Sequence, residues 1–317
     1  MTIKRNPGMD LNLDWIESIQ VNKSAIERRA ATLGARRSVK KQHQAAWLLK
    51  AITLIDLTTL AGDDTEQRVK RLCAKAKKPI RHDLLSALRI EDLQLTTGAI
   101  CVYHDMLPTA AESLKGTGIN LAAVSTGFPA GLTPVHLKIE EIKESVKAGA
   151  NEIDIVITRK HVFSENWQAL YDEVKAYREA CGDAHMKTIL ATGEISTLRN
   201  VAKASMVCMM AGADFIKTST GKESVNATLP VSLTMIRQIR EYQERTGFKI
   251  GYKPAGGISK AKDALVYLSM MKEELGDDWL QPDLFRFGAS SLLGDIERQL
   301  EHHITGHYSA AHRHAIG

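Results

Sequence analysis

The sequence predicts an α/β protein, a (β/α)8 TIM barrel with an N-terminal helical extension. Three observations carry this expectation. Eight short β-branched and apolar runs alternate with helical patterns along the chain. Two helix-to-strand junctions repeat nearly the same words, KAGANEIDI (Lys147–Ile155) and MAGADFIKT (Met210–Thr218), each placing a glycine where a helix ends and a strand begins. At 317 residues the chain is long enough for one large barrel with an extension. Strands alternating with helices pair in parallel through right-handed crossovers, and a count of eight favours closure over an open doubly wound sheet.

Residues 1–45 read as the extension. Leu11, Leu13, Trp15, Ile16 and Ile19 offer the apolar surface of an amphipathic helix, and a charged segment runs on to Lys41. Its basic cluster, ARRSVKK (Ala35–Lys41), reads as a solvated helix face, because no aromatic residues interleave the charges as a polyanion-binding surface would want. Residues 46–300 read as the barrel. The strands are expected at Ile52–Asp56, Ala99–Tyr103, Leu121–Ser125, Glu152–Ile157, Lys187–Ala191, Asp214–Thr218, Lys249–Lys253 and Leu284–Gly288. Between them, sets such as Ile139, Ile142 and Val146, or Trp167, Leu170 and Val174, recur at helical spacing. Residues 301–317 form a tail whose histidines, His302 to His314, lack carboxylate or thiolate companions; it reads as a mobile surface segment rather than a metal site.

Composition narrows the function. Charged residues at 25% and hydrophobics at 44% are ordinary for a folded globular chain, and a net charge of +5 is small for this length, giving little support to nucleic-acid binding. The four cysteines are scattered without a CxxC pair, and no apolar run resembles a signal peptide or a membrane span. A reduced, cytoplasmic protein with no nucleic-acid or membrane partner is expected.

In a (β/α)8 barrel, the C-terminal ends of the strands face the active-site mouth. Those positions carry Asp56, Cys101, Asp154, Glu194 just past the fifth strand, Lys217 and Lys253. A buried lysine finds a partner or gives up its proton. At a pKa near 10.4, only about one amine in 2,500 is nucleophilic at pH 7. A second cation nearby and loss of hydration both lower that pKa, so Lys253, one strand along, is the natural partner for a nucleophilic Lys217. The competing reading has either lysine reaching solvent or pairing with Asp154; two lysines on adjacent strands facing a carboxylate favour chemistry.

The loops that follow suit a phosphate. TSTGKE is not a P-loop, since Ile216 stands where that motif needs glycine and Glu223 where it needs Ser or Thr. Thr220, Gly221 and Lys222 can still bind an anion through a glycine-containing turn. KPAGGI (Lys253–Ile258) brings Gly256 and Gly257, and GASSLL (Gly288–Leu293) brings Ser290, expected as a helix N-cap, with Ser291 beside it. These are the loops after the sixth, seventh and eighth strands, and barrels commonly hold phosphate at the last two. Asp56 joins this substrate-binding set.

LIDLTTL (Leu54–Leu60), EIDIVI (Glu152–Ile157), ATGE (Ala191–Glu194), DFIKTSTGK (Asp214–Lys222), KPAGGI and RFGASSLL (Arg286–Leu293), in this order, resemble the deoxyribose-phosphate aldolases, in the long animal-type form. The resemblance implies a class I aldolase of deoxyribose catabolism, a lyase with no metal or other cofactor. It would cleave 2-deoxy-D-ribose 5-phosphate reversibly to D-glyceraldehyde 3-phosphate and acetaldehyde. It implies Lys217 as the Schiff-base lysine, Lys253 as the lysine that tunes it, and Asp154 in proton transfer. A tyrosine of the tail reaches the site in the family; Tyr308 is the tail's one tyrosine, but nine further residues follow it. The partner expected is a small phosphosugar, with homo-oligomerisation left open. A pyridoxal-phosphate enzyme would also want a lysine and a phosphate cup, yet no aromatic at the mouth offers to stack on the ring. A non-catalytic phosphosugar-binding scaffold has no use for both lysines.

Overall fold

A computed structural model describes residues 5–36 and 39–315. Eight strands carry the barrel: β1 (Ile55–Thr58), β2 (Ala99–Tyr103), β3 (Asn120–Ser125), β4 (Glu152–Val156), β5 (His185–Ile189), β6 (Phe215–Lys217), β7 (Gly251–Lys253) and β8 (Phe287–Ala289). They pair in parallel in the order β7-β6-β5-β4-β3-β2-β1-β8. Closure is made where β7 meets the run into β8: Tyr252 N–H donates to Leu284 O (2.9 Å), Arg286 N–H to Tyr252 O (3.1 Å) and Gly288 N–H to Pro254 O (2.9 Å). The helices, in chain order, are α1 (Leu13–Ser18), α2 (Lys23–Arg36), α3 (Lys41–Thr53), α4 (Glu66–Lys77), α5 (His82–Leu88), α6 (Leu107–Leu114), α7 (Val135–Lys147), α8 (Lys160–Phe163), α9 (Trp167–Ala180), α10 (Leu198–Met210), α11 (Leu229–Thr246), α12 (Ala261–Leu275) and α13 (Leu292–Thr305).

Strand alternation divides the apolar residues in two. Outward residues such as Ile55, Leu57, Ile100, Val102, Ile153, Ile155 and Ile216 join the helices in the main core. Cys101, Ala122, Val124, Val156 and Ile189 form a separate cluster with Phe128, walling the barrel's upper interior. Gly288 has its place for a reason of space: a Cβ there would lie 2.8 Å from Ala255 Cβ and 3.3 Å from Lys253 Cε, so glycine lets β8 sit against Ala255 and the stem of that lysine.

The strand edges depart from expectation for identifiable reasons. Ile52 and Thr53 belong to α3, because Ala45, Leu48, Ala51 and Ile52 make one buried helical face, and β1 starts only at Ile55. β5 ends before Ala191, which takes a left-handed φ of 57°. β7 starts at Gly251, since the Ile250 carbonyl accepts the indole N–H of Trp279 (2.9 Å) instead of continuing the ladder.

The extension packs on the barrel. Buried Asn6 donates to Met209 O (2.7 Å) and Ala213 O (2.9 Å) and accepts from Tyr242 Oη (3.1 Å). Trp15 stacks on Tyr242, with the Arg245 guanidinium 4.1 Å from the indole centroid. The expected limits at residues 45 and 300 fall inside α3 and α13, and α13 stops where Gly306 turns left-handed at φ 75°. Residues 37–38 of the basic cluster lie outside the described residues. The tail is docked rather than loose: His314 is buried, its Nε2 2.7 Å from Ser309 Oγ and 3.1 Å from Glu301 Oε2. Among the described residues no helix is long and apolar enough to cross a membrane.

Candidate active site

Strand register brings the charges together. Lys217 and Lys253 are paired across β6 and β7, and Asp154 lies opposite Lys187 across β4 and β5. All three predicted catalytic groups meet at one atom. Lys217 Nζ donates to Asp154 Oδ2 at 2.8 Å, and Lys253 Nζ donates to the same oxygen at 2.7 Å. Lys253 also pairs with Asp56. Asp56 is wholly buried beneath that lysine, away from the cavity that Lys217 opens into. Like Asp154 and Lys253 it is fully buried, and it joins the site through its bond to Lys253.

Three further residues complete the cluster and were not singled out from the sequence. Lys187 Nζ donates to Asp154 Oδ1 (2.9 Å) and Glu152 Oε2 (2.5 Å). Arg286 donates from Nη1 to Asp56 Oδ1 (2.6 Å) and from Nη2 to Glu152 Oε1 (2.8 Å). The period of two held the signal: Glu152, Lys187 and Arg286 each stand two residues before an inward position, Asp154, Ile189 and Gly288.

The two lysines are driven in opposite directions. Burial is the largest influence on Lys217 and lowers its pKa; Lys253 lowers it further, against the pull of Asp154. Burial also acts to lower the pKa of Lys253, but Asp154 and Asp56 together outweigh it and hold that ammonium protonated. Asp154 is fully buried, which favours its neutral form, yet Lys187, Lys217 and Lys253 keep it well below the ordinary carboxylate range. Cys101, in the apolar wall, has its thiol pushed up by burial.

Above the lysines lies a cavity of about 270 Å³ lined by Lys217 and by every loop residue predicted for the phosphate: Thr220, Gly221, Lys222, Gly256, Gly257, Ser290 and Ser291. Gly221, Gly256 and Gly257 all have φ near 80°, which turns their peptide groups in a way that side chains resist. The helix start is one residue later than expected: Ser291, not Ser290, is the N-cap of α13, and its side chain makes no capping bond. The first-turn N–H groups of that helix are therefore left without a side-chain acceptor at the cavity edge. Thr220 is already engaged, its N–H and hydroxyl both donating to Glu223 Oε1 (2.7 and 3.1 Å), so it shapes the loop. Glu223 Oε2 also accepts from Gly193 N–H (3.0 Å), tying the β5 and β6 loops together.

Glu194 does not join the cluster; it is exposed and paired with Arg159 at 2.6 Å. Tyr308 lies on the surface, 78% exposed and stacked on His302. Among the described residues, no group of three or more His, Cys, Asp or Glu is placed to hold a metal ion.

The model of the DeoC/LacD family aldolases matches residues 50–296. A deoxyribose-phosphate aldolase of Homo sapiens is 60% identical over 309 residues, covering 97% of both chains, and that of Mus musculus is 60% identical, covering 96% of both. Among solved structures, a tetrameric deoxyribose phosphate aldolase from Aeropyrum pernix superposes with a TM-score of 0.60 at 20% identity, covering 88% of this chain and 99% of that one.

Proposed function

Because the chain belongs to the DeoC/LacD aldolase family, we propose a division of labour among its buried charges for aldol cleavage. The reaction is the reversible conversion of 2-deoxy-D-ribose 5-phosphate to D-glyceraldehyde 3-phosphate and acetaldehyde. Lys217 is the nucleophile. It adds to the C1 aldehyde and water leaves, giving an iminium that accepts the electron pair released when C2–C3 breaks. The C3 hydroxyl gives up its proton as the aldehyde product forms. The resulting enamine takes a proton at C2, and hydrolysis frees acetaldehyde and the lysine.

Asp154 and Lys253 carry the protons. In the resting site, Asp154 accepts from the Lys187 and Lys253 ammonium groups and from the Lys217 amine, and is a weak base. Asp154, acting with Lys253, takes the C3 hydroxyl proton as the C2–C3 bond breaks. Lys253, held charged, donates on the return step. Gly221, Gly256, Gly257 and the N-terminus of α13 hold the phosphate, with Lys222 and Ser290 at the rim. A cytoplasmic setting belongs to the same proposal, supported by four free, buried cysteines.

One observation carries the assignment: of the three lysines around Asp154, Lys217 is the one that opens into the cavity and has no carboxylate to itself. Borohydride reduction with acetaldehyde should leave an ethyl group on Lys217, located by mass spectrometry, and chelators should leave turnover intact. Label on Lys253, or activity lost to chelator and restored by zinc, overturns the reading.

A further inference from the structure

We propose that Glu152, Lys187 and Arg286 are positioning residues that keep Lys217 uncharged by closing an electroneutral ring of ion pairs beneath it. This rests on the assignment of Lys217 as the nucleophile. The ring can be walked bond by bond: Asp154 to Lys253, Lys253 to Asp56, Asp56 to Arg286, Arg286 to Glu152, Glu152 to Lys187, and Lys187 back to Asp154. Three cations alternate with three carboxylates, so every ring member has two partners of opposite sign.

Lys217 is the seventh group. Its one carboxylate contact is Asp154 Oδ2, already shared with Lys253. The groups that act on it are Asp154 from β4, Lys253 from β7 and the Cys101 thiol from β2. With Lys217 protonated, the buried cluster carries an unbalanced positive charge; with Lys217 neutral, the charges cancel. Loss of that one proton removes the excess without breaking a ring bond, and a buried net charge is what a low-dielectric interior opposes most. Glu152, Lys187 and Arg286 do not line the cavity above Lys217, so they act through charge and position rather than on substrate. At the opposite end of the barrel Glu152 borders a second cavity with His185, Asp183, Asp283 and Arg5. His185, whose pKa burial lowers, is uncharged over the alkaline range in which a lysine titrates.

The consequence is a sign rule that reaches two ion pairs away from the nucleophile. Removing a ring cation leaves the ring negative and favours the Lys217 ammonium. Removing a ring carboxylate leaves it positive and disfavours that ammonium.

The test is the pH midpoint of borohydride trapping with acetaldehyde, with the modified residue identified by mass spectrometry. Lys187→Met should move the midpoint up by about one pH unit, and Glu152→Gln should move it down by about as much, the order expected of one unit charge at an effective dielectric near 20. At a fixed pH below the midpoint, each shift is roughly a tenfold change in trapping rate. The double variant Glu152→Gln/Lys187→Met loses one charge of each sign and should return towards the parent midpoint. Arg286→Gln reads the same sign as Lys187→Met and replaces it if that variant does not fold, while Glu152→Gln preserves side-chain shape. Midpoints that stay put, or that all move in one direction, overturn the ring's role while Lys217 remains the labelled residue. Label on another residue in the parent protein overturns the nucleophile assignment itself.

Discussion

Lys217 and Lys253 occupy paired positions on adjacent strands and donate to the same oxygen, yet their pKa values move apart. The difference is the second carboxylate: of the two lysines, Lys253 is the one that contacts Asp56. Two outcomes follow for substitution. Lys217→Leu should abolish trapping and lower kcat by about a thousandfold or more, since Lys222, the other lysine lining the cavity, is exposed at its rim, without the burial that favours a neutral amine. Lys253→Leu removes a repelling cation and frees the carboxylates to stabilise the Lys217 ammonium, so the trapping midpoint should rise by one or two pH units, roughly. Trapping at high pH should survive this change better than turnover, because the substitution also deletes a proton donor. Equal trapping of parent and Lys253→Leu protein at neutral pH would show that the charge of Lys253 does not tune its neighbour.

The phosphate cup is a property of elements: the start of α13 and the loops after β6 and β7. Gly256 shows how tightly they fit. Its φ is +78°, and a Cβ there would lie 2.6 Å from Asn226 Cγ, whose amide in turn donates to Glu223 O (2.9 Å). Gly256→Ala should therefore cost about 1–3 kcal/mol and raise KM for deoxyribose 5-phosphate about tenfold, with a smaller effect on unphosphorylated deoxyribose. Steady-state kinetics on both substrates decide it; equal losses on the two would mean that the loop does not hold the phosphate. A cap on the outer layer should behave differently. Thr197 accepts the Asn200 N–H (3.1 Å) at the start of α10, so Thr197→Ala should lower stability by about 1 kcal/mol in urea unfolding, with kcat/KM unchanged.

At the scale of the whole molecule, the buried charges make stability depend on pH in two separate windows. Burial lowers the pKa of His185. The unfolded chain therefore takes up a proton near pH 6.5 while the native imidazole resists, and stability falls as pH drops below that value. Asp56, Glu152 and Asp154 are also depressed: burial opposes their ionisation, but the ring cations outweigh it. Their contribution is complete above the unfolded carboxylate pKa near 4 and is lost as pH falls through the lower native values. Urea midpoints measured from pH 8 to 3.5 should show a modest step below 6.5 and a steeper one below about 4. His185→Gln should remove the upper step and leave the lower; loss of both, or of neither, contradicts this division.

Much of this was legible in the sequence because it depends on local periodicity and side-chain chemistry. The alternation of strand and helix runs announced eight parallel strands, and the place of Asp154, Lys217 and Lys253 at the C-terminal ends of strands, together with the glycine loops, pointed to the candidate site. Those features need only the period of two, the period of 3.6 and the freedom of glycine at positive φ. Closure of the barrel decided the rest. Glu152, Lys187 and Arg286 sit on β4, on β5 and just before β8, and only the circular arrangement lets a carboxylate of β4 meet a guanidinium beside β8. Tertiary contacts also set the edges, as when Trp279 takes the carbonyl of Ile250, and they seated His314 against Glu301. A single strand can show which face a charge occupies. The partner opposite it, and whether the buried charges sum to zero, are fixed by strands far away in sequence.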